Sequence, residues 1–397
     1  MPTLDWIGKK AVLNHHNEVP FHLLKEVPEL SVGDPGSGNL LVEGDNLLAL
    51  KALLPYYAGQ VKCIYIDPPY NTGNEDWVYN DNVNSPEIKV WLGKVVGGHM
   101  EDLSRHDKWL CMIYPRLELL REFLSENGCI FVSIGVDEFA NLVLLMNEIF
   151  GERNQIAVIA WETAYTAYQT AKHISDTHDY ILVYGKDFES VKIGKLSRSQ
   201  EQIAKFKNPD NDPRGPWKAE NLSAGRFYAA GQFKIIGPTG REFSPPPGRY
   251  WRCNKEQYEA WLADNRITFG RDGRGRPMLK KFLSEMTGGL TPTTWWEHTD
   301  FGTTKEASLE LKSTFEGRAV FQTPKPVRHI QRILEVSTEK NDLVLDSFAG
   351  SATTGPALMQ LNKQDGGNRR FILVEMDSGI CQERWPRGVG QGKRLVK

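Results

Sequence analysis

The stretch CIYIDPPYNTGN, residues 63–74, places one acid, two prolines and a tyrosine directly after four apolar residues. A buried strand ending at Ile66 would present Asp67 at its carboxyl end, where ligands of open parallel sheets bind. Pro68 and Pro69 fix φ and remove two N–H donors, so the turn is stiff while its carbonyls can still accept hydrogen bonds. Tyr70 adds a flat face. A carboxylate oxygen, the Pro68 carbonyl and an aromatic ring suit a planar ligand that carries an –NH2 group. An exocyclic amine on adenine or cytosine is a poor nucleophile, because its lone pair is delocalised into the ring. Acceptors on both its protons would draw the nitrogen toward tetrahedral geometry. An ionised Asp67 would stabilise the positive charge that develops there. Aspartate has a reference pKa of about 3.9 and needs no special tuning to be ionised at neutral pH. The plainer alternative is a strand-ending Asp-Pro turn with no ligand.

A second stretch, VLDSFAGSATTG at 344–355, reads as strand, acid, glycine turn and helix. Gly350 permits close backbone approach, and Ser351, Thr353 and Thr354 can cap the helix or bond a ligand. The pattern is neither G-x-G-x-x-G nor G-x-x-x-x-G-K-[ST], so a nucleoside triphosphate is not favoured. Glu375, at the end of the next apolar run, FILVE, suits a ribose diol. The alternative is a capping turn that binds nothing.

The elements around these stretches alternate. NLLVEGD, VKCIYID, CIFVSIG, QIAVIAWE and HDYILVYGK read as strands. NLLALKALLPYY, WLCMIYPRLELLREFLSENG (stopping at Gly128) and VDEFANLVLLMNEIFG have helical spacing. The order predicts an α/β, Rossmann-like fold: a mostly parallel sheet with helices on both faces. The alternation fails near Lys186 and resumes with TPKPVRHIQRILEVS, DLVLDSFAGSATTGPALMQLN and RRFILVEMD. Between them the chain is rich in Pro, Gly, Arg and Trp, as in SPPPGRYW and GRDGRGRP. Three segments follow: an α/β part at 1–190, a loop-rich basic domain at 191–318, and the rest of the α/β domain at 319–397.

The formal net charge of the 397 residues is only −2, but residues 195–281 hold 18 Lys and Arg against 9 Asp and Glu. Such a region reads as a footprint for phosphates, or as a well-solvated surface. The five cysteines are scattered without a C-x-x-C, so neither a zinc site nor a disulfide framework is indicated, no metal is expected, and a reducing cytoplasm is the simple reading. No run of eighteen apolar residues and no secretion signal are visible. Trp295-Trp296 reads as core in preference to a wedge, and His15, His16 and His329 as structural.

Together, DPPY and the late DSFAGS resemble the S-adenosylmethionine-dependent amino-methyltransferases of DNA, and their order resembles the β group. DPPYNTGN, NEIFGERN, DYILVYGK, RITFGRDGRGRPMLKKFLSE, TPKPVRHIQRIL and LNKQDGGNRRFILVE extend the resemblance across nearly the whole chain, toward the modification (Mod) subunit of type III restriction-modification systems. That resemblance implies a methyl donor, S-adenosylmethionine, and a double-stranded DNA substrate whose target adenine is flipped out of the stack. Asp67, Pro68, Pro69 and Tyr70 would form the base pocket. Asp346, Phe348, Gly350 and Ser351 would line the cofactor, Glu375 would hold its ribose, Asp45 would lie near its adenine, and Lys325 and Pro326 by its methionine part. Asp rather than Ser at the first motif position favours N6 of adenine over N4 of cytosine. The basic domain would recognise DNA. A homodimer and an ATP-dependent restriction subunit are the partners implied.

The sequence departs from the family pattern at three places: Ala352 stands where the family usually has Gly, Gly135 where it usually has an acid, and the tail after Asp377 soon ceases to resemble it. A catalytically idle recognition subunit and an RNA methyltransferase with the same pocket are the competing readings. A dehydrogenase fails on the glycine pattern.

Overall fold

A computed structural model describes residues 3–72, 105–167, 171–286 and 288–376, and the backbone of 393–396. The chain divides into two compact units, one of residues 1–194 with 291–397, the other of 195–290.

The first unit is built on one sheet. Its strands, in chain order, are β1 (Lys25–Glu26), β2 (Leu40–Glu43), β3 (Val61–Ile66), β4 (Leu124–Ile134), β5 (Gln155–Glu162), β6 (His178–Gly185), β7 (Trp295–Trp296), β8 (Leu343–Asp346), β9 (Arg370–Glu375) and β10 (Lys393–Val396). Their spatial order is β1-β10-β2-β9-β8-β3-β4-β6-β5-β7. The central five, β2-β9-β8-β3-β4, are parallel; β6 runs antiparallel to both β4 and β5. Central strands are apolar on both faces, as a sheet covered on both sides requires: in β3 every residue but Lys62 is buried. The connection from β8 leads outward to β9, and that from β3 leads the other way to β4. The strand order therefore reverses between β8 and β3, and ligands of such sheets bind at that reversal.

Four helices matter for the site: α1 (Asn46–Tyr57), α2 (Arg105–Phe123), α3 (Val136–Met146) and α4 (Val327–Ser337), joined after β8 by α5 (Thr354–Asp365). The α2 helix ends at Phe123, five residues short of the glycine stop expected at Gly128. The strand starts at once with Leu124, and Gly128 lies inside it. A Cβ on Gly128 would meet the Val61 carbonyl at 2.8 Å, beside a register shift between β3 and β4. This glycine serves a close approach of two strands, not a helix end.

Residues 291–318 pack with the first unit, whereas composition had grouped them with the basic domain. The physical reason is Trp296. It is buried, stacked on Phe301 at 4.2 Å with an interplanar angle of 8°, and its strand pairs with β5; Trp295 is exposed. The second unit has its own core of Leu222, Ile235, Phe243, Trp251, Ile267 and Phe269 and small antiparallel sheets. Part of its positive charge is consumed internally. Lys280 is buried against Asp210, and Arg214 and Arg266 pair with Asp212, Asp264 and Glu285. Among the described residues no helix is long and apolar enough to cross a membrane.

Candidate active site

Asp67 follows the last residue of β3, and Asp346 is the last residue of the neighbouring β8. The two acids from opposite ends of the sequence thus meet at the reversal point. The turn after Asp67 is fixed from two helices. Trp109 Nε1 of α2 donates to the Pro69 carbonyl at 2.6 Å, and Asn71 donates to Glu138 of α3, which is fully buried and also takes His106 Nδ1 at 2.7 Å. Asn71 accepts the left-handed backbone, φ 56°, that turns the chain away.

Asp67 Oδ2 is paired with Lys325 Nζ at 2.5 Å. Asp67 Oδ1 is buried and has no hydrogen-bond partner. Lys325 also lies 5.0 Å from the centre of the Tyr70 ring. Tyr70 donates its hydroxyl to Asp179 Oδ2 at 3.2 Å. Two cavities adjoin here. The larger is lined by Asp67, Pro68, Pro69, Tyr70, Asp179 and Lys325 among others. The smaller is lined by Asp346, Phe348, Gly350 and Ser351, and shares Asp67, Phe321, Thr323, Pro324 and Lys325 with the larger.

The glycine turn forms the floor of the smaller cavity. Gly350 has φ 53°, and a Cβ there would meet Phe321 Cζ at 2.9 Å. Glu375, from the end of β9, accepts the Gly350 N–H at 2.5 Å. Asp346 accepts from Thr354 Oγ1 at 2.6 Å and from the Phe348 N–H at 3.1 Å. Burial nevertheless pushes its carboxyl up to about 7, with the charge of Asp67 adding to the rise. Asp179 is pushed up to about 6, again chiefly by burial, with Lys325 opposing and Asp67 reinforcing. Ala352 also takes a left-handed backbone, φ 63°.

The structure brings together most of the residues singled out from the sequence, but three stand back from both cavities. Asp45 caps α1, accepting from the Leu47 and Leu48 N–H groups, and its other oxygen takes Arg116 at 3.1 Å. Pro326 sits at the cap position of α4. Glu375 braces the turn from behind. Sequence reasoning missed Phe321, Thr323 and Asp179. Phe321 lies two residues before TPKP without a pattern of its own, and Thr323 is the first residue of that stretch, of which only Lys325 and Pro326 were singled out. Asp179 begins DYILVYGK, a stretch that reads as a strand and shares in the family resemblance without marking a site residue.

The profile of the DNA methylase family, comprising the N6 and N4 amino-methyltransferases, matches residues 61–384. The chain belongs to that family. This DNA methylase is 33% identical to the type III restriction-modification enzyme StyLTI Mod subunit of Salmonella typhimurium, over 98% of its own length and 60% of that protein. It is 32% identical to the EcoPI Mod subunit of Escherichia phage P1, over 95% of its length and 64% of that protein. It is 29% identical to the type II methyltransferase M.KpnI of Klebsiella pneumoniae, over 90% and 85%. The chain thus spans less than two thirds of the length of these Mod subunits.

Proposed function

We propose that the chain transfers the methyl group of S-adenosylmethionine to N6 of an adenine extruded from duplex DNA, as the modification subunit of a type III restriction-modification system. The observation that carries this reading is Asp67 Oδ1, a buried carboxylate oxygen without a partner in the wall shared by the two cavities. An unsatisfied buried acceptor costs about 1–3 kcal/mol. An amino N–H from the larger cavity would recover that cost.

The smaller cavity fits the methyl donor by its chemistry. It offers a bare Cα at Gly350, the carboxyl of Asp346 and the hydroxyls of Ser351 and Thr353. When bound, S-adenosylmethionine supplies an electrophilic methyl group on a sulfonium cation. The residues of the chain do the rest. Asp67 Oδ1 and the Pro68 carbonyl accept the two N–H bonds of the amine and restore its lone pair. Tyr70 stacks on the base, which repays about 1–3 kcal/mol of the extrusion. Asp67 stabilises the charge that develops on nitrogen and takes up the proton it sheds. Lys325 borders the methionine part, with Pro326 behind it at the start of α4, and Asp346, Phe348, Gly350 and Ser351 border the body of the cofactor. Glu375 serves the ribose beside the turn it braces, and Asp45 shapes the adenine end by holding the start of α1.

Adenine is favoured over cytosine because the first motif residue is Asp67. The basic unit of 195–290 supplies phosphate contacts and base readout. The Mod subunits among the relatives support a restriction subunit as partner; a homodimer is the assembly that the family resemblance implies. The test is transfer of labelled methyl groups to unmethylated duplex DNA in competition with RNA, followed by nucleoside analysis. Label in N6-methyladenine of DNA is expected; label in RNA or in N4-methylcytosine would refute the reading.

A further inference from the structure

Asp179 stands at the second position of β6, the strand that runs antiparallel to its neighbours. Its amino end is therefore level with the carboxyl ends of β3 and β4, and Asp179 lies one residue beyond the pairing of Tyr180 with Ile134. That register brings a second carboxylate into the larger cavity, facing the turn that carries Asp67.

The side chain of Tyr70 reaches the second residue of β6 and the residue that follows β4. Its hydroxyl donates to Asp179 Oδ2 at 3.2 Å. Its ring edge lies where a side chain on Gly135 would otherwise stand: a Cβ there would meet Tyr70 Cδ2 at 2.9 Å. Gly135 has an ordinary backbone, φ −82°, so it is needed for space and not for conformation. The departure from the family pattern at Gly135 and the bond to Asp179 thus act on one ring. Removing the side chain at Gly135 lets the ring approach β4, and Asp179 fixes how it is turned.

We propose that Asp179 is a positioning residue of the base pocket, holding the Tyr70 ring in the plane on which the extruded base stacks. This rests on the function proposed above. Asp179 touches neither the methyl donor's cavity nor the glycine turn, so it acts on the base side alone. The groups that face it are Tyr70, Asp67, Lys325 and His178. Burial pushes its carboxyl up to about 6, so the acceptor for the tyrosine hydroxyl strengthens as pH rises through that value.

The test is a double-mutant cycle on the full chain, with bulk unmethylated duplex DNA and labelled S-adenosylmethionine. Tyr70→Phe and Asp179→Ala should each lower kcat/KM for DNA about tenfold, the worth of one hydrogen bond. The double variant should lose no more than either one, since both remove the same bond. A fall in wild-type rate below pH 6 is expected, and Asp179→Asn, which keeps an acceptor, should recover most of the loss and flatten that fall. Cofactor affinity by calorimetry should be unchanged in all four proteins. Multiplicative losses in the double variant, or an Asp179→Ala protein with wild-type kinetics, would overturn the assignment of Asp179 alone. A wild-type protein without methyl transfer would overturn the functional reading, and this proposal with it.

Discussion

Lys325 Nζ and Asp67 Oδ2 lie 2.5 Å apart although 258 positions separate them in the chain. The pair ties the loop before α4 to the turn after β3, and both residues line both cavities. It also leaves Asp67 with one oxygen committed and one open. Lys325 is therefore placed to orient the carboxylate, so that the free oxygen points toward a base.

Replacing Lys325 by Gln should separate these effects. The side chains are 11% and 22% exposed, so the pair is only partly screened. A loss of about 1–2 kcal/mol of stability is expected, with methyl transfer falling at least about tenfold. Denaturant unfolding and transfer kinetics of the variant check both. An unchanged rate would show that Asp67 needs no cation to hold it.

Ala352 occupies a backbone conformation that costs an L-residue about 1–2 kcal/mol, at φ 63°. Ala352→Gly should relieve that strain. The greater freedom of glycine in the unfolded chain returns about 0.4–1 kcal/mol of it. A net gain of up to about 1 kcal/mol in unfolding free energy is expected, with activity retained. A loss of stability would mean that the Ala352 methyl, which is buried, contributes more packing than strain.

Asp346 gives a pH signature. Its folded pKa of about 7 lies above the usual carboxylate value, so the folded protein binds this proton more tightly than the unfolded chain. The sign follows: the group favours folding below the unfolded value near 4, and that contribution is lost as pH rises toward 7. Asp346→Asn removes the titration. The stability of the variant relative to wild type should therefore grow by a few kcal/mol between pH 4 and 7. A difference that stays flat with pH would contradict the neutral, buried carboxyl.

Much of this site could be read in the sequence because each half was announced by a local rule. An apolar run ending in D-P-P-Y and another ending in a glycine turn both mark carboxyl ends of parallel strands. The sequence could not show that β8 and β3 are neighbours, which follows only from the order of strands. Asp179 was invisible for a related reason. It enters from the beginning of an antiparallel strand, where no rule looks for a ligand. The boundary at 318 failed because composition tracks exposure: the segment around Trp295-Trp296 is loop-rich yet hydrogen-bonds to the edge of the large sheet. Gly128 misled because a glycine that admits a neighbouring strand looks the same in sequence as one that ends a helix.

The account stands on Asp67, and its most direct test is methyl transfer by wild type and Asp67→Ala on unmethylated duplex DNA. The wild type should label N6 of adenine. The variant should bind S-adenosylmethionine and DNA nearly as well yet transfer about 100- to 1,000-fold more slowly. Turnover by the variant at the wild-type rate would contradict the account.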